Sequence, residues 1–484
     1  MKPISLEKIC AGTEFAFAPE LAGKIITAVT TDSRQAAPGT LFVALKGERF
    51  DGHDFVSQVF EKGAEAALVC GDRVEAVCRA ISPAYRNRLV IVPDTLKALG
   101  QLASNFVTDL SIPIVGITGS VGKTSTKDFT ACAFAPLGNV ARTKLNFNNE
   151  IGLPMTVLSV EDTDKALIGE MGMRGLGEIE YLAKILRPQI GIITNIGISH
   201  IERLGSRENI MLAKTEICCG MAPGSTLLVS CGDRVITKEK ILERVASFRK
   251  DIRVKFFGLE SDCDYWADSI ETDPEGNVSF RFHPGDLPVS LRVAGVHNVR
   301  NALAALAAAD TYGIPLEQAV PYVERFCGDR VRQNIIRKDG ITIIDDTYNA
   351  GPESMEAALG VLGSLPGVQR RIAVLGSMLE LGSASDGAHK AVCRAAEKNG
   401  VDILITVGDT WGQSLPECQV AHKASCGTWE EAIPLIRTLC GDRDSHGGPG
   451  RGKMYAEGDG FLIKGSHAMH MDKIVKALTE GESY

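Results

Sequence analysis

The chain has 484 residues, 44% hydrophobic and 23% charged, with 52 basic against 60 acidic side chains and a formal net charge of −8. At roughly 150 residues per domain the length suggests about three domains, and the balance excludes a long disordered chain, a collagen-like chain and a disulfide miniprotein. The acidic excess argues against a broad nucleic-acid-binding face, while a local basic pocket for phosphates stays open.

The opening MKPISLEKICAGTEFAF carries acids early and no apolar core of signal-peptide length. No stretch reaches the roughly 18 apolar residues of a spanning helix. The expectation is a cytoplasmic protein without membrane insertion. The 13 cysteines, odd in number and without metal-ligand spacing, read as reduced thiols. LFVAL (41–45), AALVC (66–70) and LVIV (89–92) predict short strands, and residues 53–62 and 95–108 predict helices. IPIVGIT (112–118) then opens a second unit, with Asp109, Ser111 and Pro113 as the linker. In it the strand KALIGEMG precedes a helix near 177–186, IGIITN precedes one near 206–219, and TLLVS is a further strand. Such βαβ alternation predicts a mostly parallel sheet covered on both faces. Within 253–293, VKFFG, VSFRF and VSLRVAG lie between turn residues and predict antiparallel hairpins. An alanine-rich helix follows at 297–310. From about 328 the strands ITIIDD, RIAVLG, DILITVG and GFLIKG each precede a helix, and the Gly-rich 441–458 reads as a surface insert. The fold class expected is α/β in three domains: a small N-terminal α/β domain (1–110), a central P-loop parallel-sheet domain (111–327) and a C-terminal Rossmann-like α/β domain (328–484).

The strongest motif is ITGSVGKTST, 117–126. A strand running through a Gly-rich turn into a helix is an anion site. Gly119 and Gly122 allow close backbone approach, Lys123 can reach the β and γ phosphates, and Thr124 suits Mg²⁺. The strict pattern wants Gly where Ile117 stands, with Gly116 one residue further back. Glu170 and His200 each follow a predicted strand, on the sheet edge where parallel sheets bind ligands, so they can hold Mg²⁺ or be a surface acid and a satisfied histidine. Lys214, in MLAKTEICC, reads by itself as a solvated helix lysine. Asp345 and Asp346 can bind ribose or cap a helix. Arg34, Lys46 and Arg49 can meet a second set of phosphates or be loop charges. Asn298 and Asn301, on one helix face, can meet a purine edge or serve as caps.

The segments TGSVGKTST, FNNEIGLP, EMGMRGLGEIEYL, TNIGISHIERLGS, AKTEI, GVHNVRNALAA, DDTYNAGPESM, LGSMLELG and LIKGSHAM occur in the order seen in the Mur ligase family. The resemblance runs from about Asp32 to Met471. DDTYNAGPESM and LGSMLELG resemble the dipeptide-adding branch, and the DNPR motif of many diaminopimelate-adding relatives is absent. What the resemblance implies is a cytoplasmic ATP-dependent ligase. It would add D-alanyl-D-alanine to UDP-N-acetylmuramoyl-tripeptide through an acyl phosphate, as a monomer acting on small molecules and not on nucleic acid. It implies that Gly119, Ser120, Val121, Gly122, Lys123, Thr124 and Ser125 cradle ATP, and that Asn298, Asp346 and Tyr348 lie near the nucleotide. Thr124, Glu170, His200 and Lys214 (the last as a carbamate) would hold Mg²⁺, with Lys123, His200 and Lys214 catalytic. Asp32, Ser33, Arg34, Lys46, Asn148 and Asn349 would contact substrate. Three departures fall in the last unit: Gly351 stands where the family has Asn in DDSYNANP, Ser377 where it has Asp in LGDM, and His467 where it has Arg in KGSR. A single-amino-acid or folate-glutamate ligase and, more distantly, a P-loop switch or transport ATPase are the alternatives.

Overall fold

The computed structural model describes residues 1–480 apart from 13, 234, 329–332 and 442–453. Most of the Gly-rich insert, 442–453, therefore lies outside the described residues. Three large sheets follow one another along the chain. The first runs, in spatial order, Ala16–Phe17, Leu89–Val92, Ala66–Cys70, Thr40–Val43 and Ala28–Thr30, parallel apart from Ala16–Phe17.

The second sheet has nine strands. Within it Ile114–Thr118, third from one edge, is flanked by Asp164–Glu170 on one side and Ile190–Ile193 on the other, all parallel. Every residue of Ile114–Thr118 and Ile190–Ile193 is buried, as expected of strands covered on both faces. One cover is the helix Val296–Tyr312, whose run from Ala302 to Ala309 is wholly inaccessible. Its small side chains let it pack closely on the helix Lys123–Phe134 and on the sheet. The other cover includes the helices Glu178–Leu186 and Thr95–Val107. Leu99, Leu102 and Phe106 of the latter share one apolar cluster with Leu153, Leu182 and Leu186. The core thus continues from the first sheet's last helix into the second sheet without a break.

The third sheet orders Asn334–Lys338, Ile341–Asp346, Asp459–Lys464, Arg370–Gly376, Ile403–Val407 and His422–Cys426. It is parallel except for the first strand.

Several expectations are corrected. VKFFG is no hairpin strand: Arg253–Gly258 runs parallel beside Thr226–Ser230, and the antiparallel part is Tyr265–Thr272, Asn277–His283 and Leu287–Ala294. The helix expected near 206–219 divides into Arg207–Thr215 and Ile217–Gly220. Ile403–Val407 leads to the edge strand His422–Cys426 before its helix Trp429–Cys440. The expectation that the cysteines are all reduced also fails, because Cys231 and Cys263 form a disulfide.

Candidate functional site at the cleft between the second and third sheets

The crossover direction reverses at Ile114–Thr118: the chain next forms Asn139–Arg142 and Asp164–Glu170 on one side of it and then Ile190–Ile193 and Thr226–Ser230 on the other. At such a switch point the loops after the strands diverge and leave a crevice. Here it opens into a cavity of about 1660 Å³ lined by loops of both the second and third sheets.

The turn after Ile114–Thr118 is specified by its glycines. Gly119 has φ +151°, and a Cβ there would stand 1.9 Å from Thr194 Oγ1. Gly122, φ +81°, starts the helix Lys123–Phe134, where backbone N–H groups face outward. Ile117 is a buried strand residue, so the turn starts only after Thr118, at Gly119. Asn195 braces it: Oδ1 accepts from the backbone N–H of Ser120 and of Val121, each at 3.0 Å. The Gly197 N–H donates to Ser120 Oγ at 3.0 Å. Lys123 curls over the turn and donates to the carbonyls of Gly119 (2.8 Å) and Ser120 (3.3 Å).

Beside it, Glu170 is buried at the end of its strand. One carboxylate oxygen accepts from Thr124 Oγ1 at 2.9 Å and the other from Asn148 Nδ2 at 2.8 Å. Hydroxyl, carboxamide and carboxylate oxygens are the donor type that suits a hard divalent cation. His200 follows the strand Ile190–Ile193 in a left-handed conformation, φ +63°, and its Nδ1 meets Glu380 Oε2 at 2.8 Å. Burial holds this imidazole below its ordinary pKa, helped by Lys123 and Lys214 and opposed by Glu380.

Lys214 is not solvated. It is 1% exposed, and burial, with Lys123 close by, drives its pKa well below the ordinary lysine value, against the pull of Glu353. Charging an amine without water is costly, so this position favours a neutral amine.

From the third sheet, Asp346 pairs with Lys464 Nζ at 2.6 Å, and the same ammonium donates to the Asn349 carbonyl at 2.8 Å. Tyr348 and Asn349 also line the cavity. Glu353 reaches across to accept from the Ile198 N–H at 2.7 Å. Asn298 and Asn301 are partly spoken for within the protein. Asn298 Nδ2 donates to the Ala294 carbonyl and Asn301 Nδ2 to Asn298 Oδ1, while Asn301 Oδ1 accepts from Thr126 Oγ1. They tie the alanine-rich helix to the turn's helix.

The structure brings Ser120 to Ser125, Asn148, Glu170, His200, Asn298, Asp346, Tyr348 and Asn349 to one cavity, with Gly119 and Lys214 packed behind its wall. It does not bring Asp32, Ser33, Arg34 or Lys46 to that wall. Arg34 is instead held by Asp32 (2.8 Å), whose carboxyl falls to about 2 because the guanidinium hydrogen-bonds to it, and Lys46 is exposed. Of the departures, Ser377 is buried against Val407 and Thr410 away from the cavity wall. His467 is exposed, its ring 6.1 Å from that of Tyr348. Gly351, φ −149°, leads into the helix Pro352–Ser364 in extended backbone that any residue adopts. Asn195, Glu353, Glu380 and Lys464 were not singled out from the sequence. They stand in the quoted motifs, and an Asn or Lys directly at a strand end was the available signal.

Three family models match in chain order: "Mur ligase family, catalytic domain" over 25–107, "Mur ligase middle domain" over 117–309 and "Mur ligase, glutamate ligase domain" over 331–446. The UDP-N-acetylmuramoyl-tripeptide–D-alanyl-D-alanine ligase of Bacillus subtilis is 35% identical over 465 residues, 96% of this chain and 95% of the relative. The crystal structure of MurF from Acinetobacter baumannii is 31% identical and superposes with a TM-score of 0.84 over 99% of both chains. MurF from Thermotoga maritima, in complex with ADP, is 25% identical with a TM-score of 0.76 over 94% of this chain and 97% of that one. The chain belongs to the Mur ligase family, alongside its D-alanyl-D-alanine-adding members.

Proposed function

We infer that the chain is an ATP-dependent ligase joining D-alanyl-D-alanine to UDP-N-acetylmuramoyl-tripeptide, the last step in assembling the peptidoglycan pentapeptide precursor. The observation that carries this is the convergence of a braced phosphate turn, a buried acid–hydroxyl pair and the Asp346–Asn349 loop on one cavity, in a chain similar to such ligases over 96% of its length. The tripeptide carboxylate attacks the γ-phosphorus of ATP, and the bond to ADP breaks. The amine of the dipeptide then adds to the acyl carbon, loses a proton, and the C–O bond to phosphate breaks as the amide forms.

The protein's part is positioning and charge neutralisation. Lys123 leaves its carbonyl partners for phosphate oxygens. The N–H groups at the start of the helix Lys123–Phe134 donate to others, while Asn195 fixes the turn by holding the N–H groups of Ser120 and Val121. Asp346 and Tyr348 bound the nucleotide side, Asn298 stiffens it, and Asn148 and Asn349 face substrate. Thr124, Glu170, His200 and a Lys214 carbamate would hold Mg²⁺, which supplies neutralisation of the triphosphate charge. The lowered pKa of Lys214 supports the carbamate, because only a neutral amine adds to CO₂, releasing one proton. Asp32, Ser33, Arg34 and Lys46 would seat the uridine diphosphate end on the first unit. In this reading residues 1–110, 111–327 and 328–484 are the three functional units, and the protein is a cytoplasmic monomer. No helix among the described residues is long and apolar enough to cross a membrane.

Mass spectrometry of the product from UDP-N-acetylmuramoyl-tripeptide, ATP, Mg²⁺ and D-alanyl-D-alanine tests the assignment. A pentapeptide mass supports it. ATP turnover without an amide product, or a product only with single amino acids, refutes it.

A further inference from the structure

At the C-terminal ends of two inner strands of the second sheet, on the rim of the cavity, lies a cluster that the ligation does not use. Thr226–Ser230 and Arg253–Gly258 are parallel neighbours, with Ser230 opposite Phe257. Their C-terminal ends therefore carry Cys231 on one side and Glu260 and Cys263 on the other into the same place. One ligand atom from each of the three lies within 4.8 Å of the others, and Cys231 Sγ is 3.6 Å from Glu260 Oε2. Among the described residues no other trio of His, Cys, Asp or Glu side chains gathers this closely. Both sulfurs sit on largely buried residues, while Glu260 is exposed.

Two glycines make the room. A Cβ on Gly258 would stand 2.4 Å from Cys231 Sγ, 2.9 Å from Glu260 Oε2 and 3.3 Å from Cys263 Sγ, and one on Gly232 would stand 2.7 Å from Glu260 Oε1. The Cα atoms of Cys231 and Cys263 are 7.0 Å apart. Two thiolates on one tetrahedral ion, with bonds of about 2.3 Å, stand about 3.8 Å apart, which such a Cα separation accommodates.

We propose that Cys231, Cys263 and Glu260 form a site for a borderline-soft divalent cation of the Zn²⁺ type, with the disulfide as its oxidised, metal-free form. A dithiol or phosphine reductant supplies two electrons, breaks the S–S bond and is itself oxidised, and two protons complete the thiols. Each thiol loses its proton to solvent as its sulfur takes the ion. Glu260 adds a carboxylate oxygen, and thiolate donors select Zn²⁺ over Mg²⁺. Asp262 is occupied by Lys238 at 2.8 Å, so water takes the fourth position. The ion clasps two strand ends, of which the first continues into the cavity wall through Cys231, Gly232 and Asp233. Asp233, two residues past Cys231, pairs with Arg207, which also donates to the Ile196 carbonyl in the loop bracing the phosphate turn.

The test uses the full-length protein reduced with a phosphine under anaerobic conditions, with and without one equivalent of Zn²⁺. Native mass spectrometry should find one Zn²⁺ per chain. Peptide mapping after iodoacetamide should find Cys231 and Cys263 alkylated freely without Zn²⁺ and shielded with it, while the other cysteines are unaffected. Cys231→Ser with Cys263→Ser should abolish the bound ion, and Glu260→Gln should weaken it about tenfold or more. Equal alkylation of the two cysteines with and without Zn²⁺ overturns the proposal, as does a disulfide that resists the phosphine or a full Zn²⁺ complement in the double serine variant. If that variant does not fold, the wild-type footprint decides alone.

Discussion

Replacing Lys464 by Met leaves the Asp346 carboxylate buried and alone. The ammonium and carboxylate stand 2.6 Å apart, with side-chain exposures of 2% and 10%, and they face each other in register on the neighbouring strands Ile341–Asp346 and Asp459–Lys464. Lys464 also satisfies the Asn349 carbonyl at 2.8 Å. Methionine keeps much of the stem's volume, so the loss is mainly electrostatic. Removing one partner of a buried pair costs about 3–5 kcal/mol. For a unit of this size, each kcal/mol shifts Tm by about 2–4 °C, so the third unit should melt roughly 6–20 °C lower. Thermal and urea unfolding of wild type, Lys464→Met, Asp346→Asn and the double variant close the cycle. The double variant should recover much of the loss, because no uncompensated charge remains. A Lys464→Met protein within about 1 kcal/mol of wild type, or a double variant as damaged as the sum of the singles, refutes the reasoning.

Lys123→Ala should keep the fold, as judged by circular dichroism, and lose about a hundredfold or more in kcat, because charge stabilisation at the phosphate is gone. Lys214→Ala should be nearly inactive, and wild type kept in ¹³CO₂ should show a carbamate ¹³C resonance that the variant lacks. Gly119→Ala should express as a destabilised, poorly active protein, since its Cβ would collide with Thr194, and Thr194→Ala in the same chain should relieve part of the defect. Burial holds the buried His389 below its ordinary value of 6.5; its Nδ1 is 2.7 Å from the Ser385 carbonyl and its Nε2 2.8 Å from Thr410 Oγ1. Below about pH 6.5 the unfolded chain binds a proton there that the folded chain does not, so this contribution to stability is full above that pH and lost on acidification. His389→Gln should flatten Tm against pH below 6.5; an unchanged slope contradicts the assignment.

What could be read in advance depended on whether the deciding interaction was local. Ile114–Thr118, Ile190–Ile193 and Thr226–Ser230 are unbroken apolar runs because both faces are covered, and a Gly-rich turn before a helix is a local signature. His422–Cys426 was missed because an edge strand with an exposed His422 and Lys423 carries no apolar pattern. Arg253–Gly258 was misread because pairing direction is set by the neighbouring strand. Lys214 looked like any helix lysine, since its burial is imposed by elements far away in sequence, and only the family resemblance suggested otherwise. The contact of Glu353 with Ile198 spans 155 residues, and the Cys231–Cys263 pair is separated by 32, so neither leaves a spacing signal.

The central claim is that the tripeptide carboxylate is activated by phosphoryl transfer at the cavity built around Lys123 and Glu170. Tripeptide substrate carrying ¹⁸O in both oxygens of its terminal carboxylate tests it directly. With ATP, Mg²⁺ and D-alanyl-D-alanine, the account predicts one ¹⁸O in each inorganic phosphate released and the other in the new amide carbonyl. Phosphate free of ¹⁸O, formed at the same rate as the amide, would contradict it.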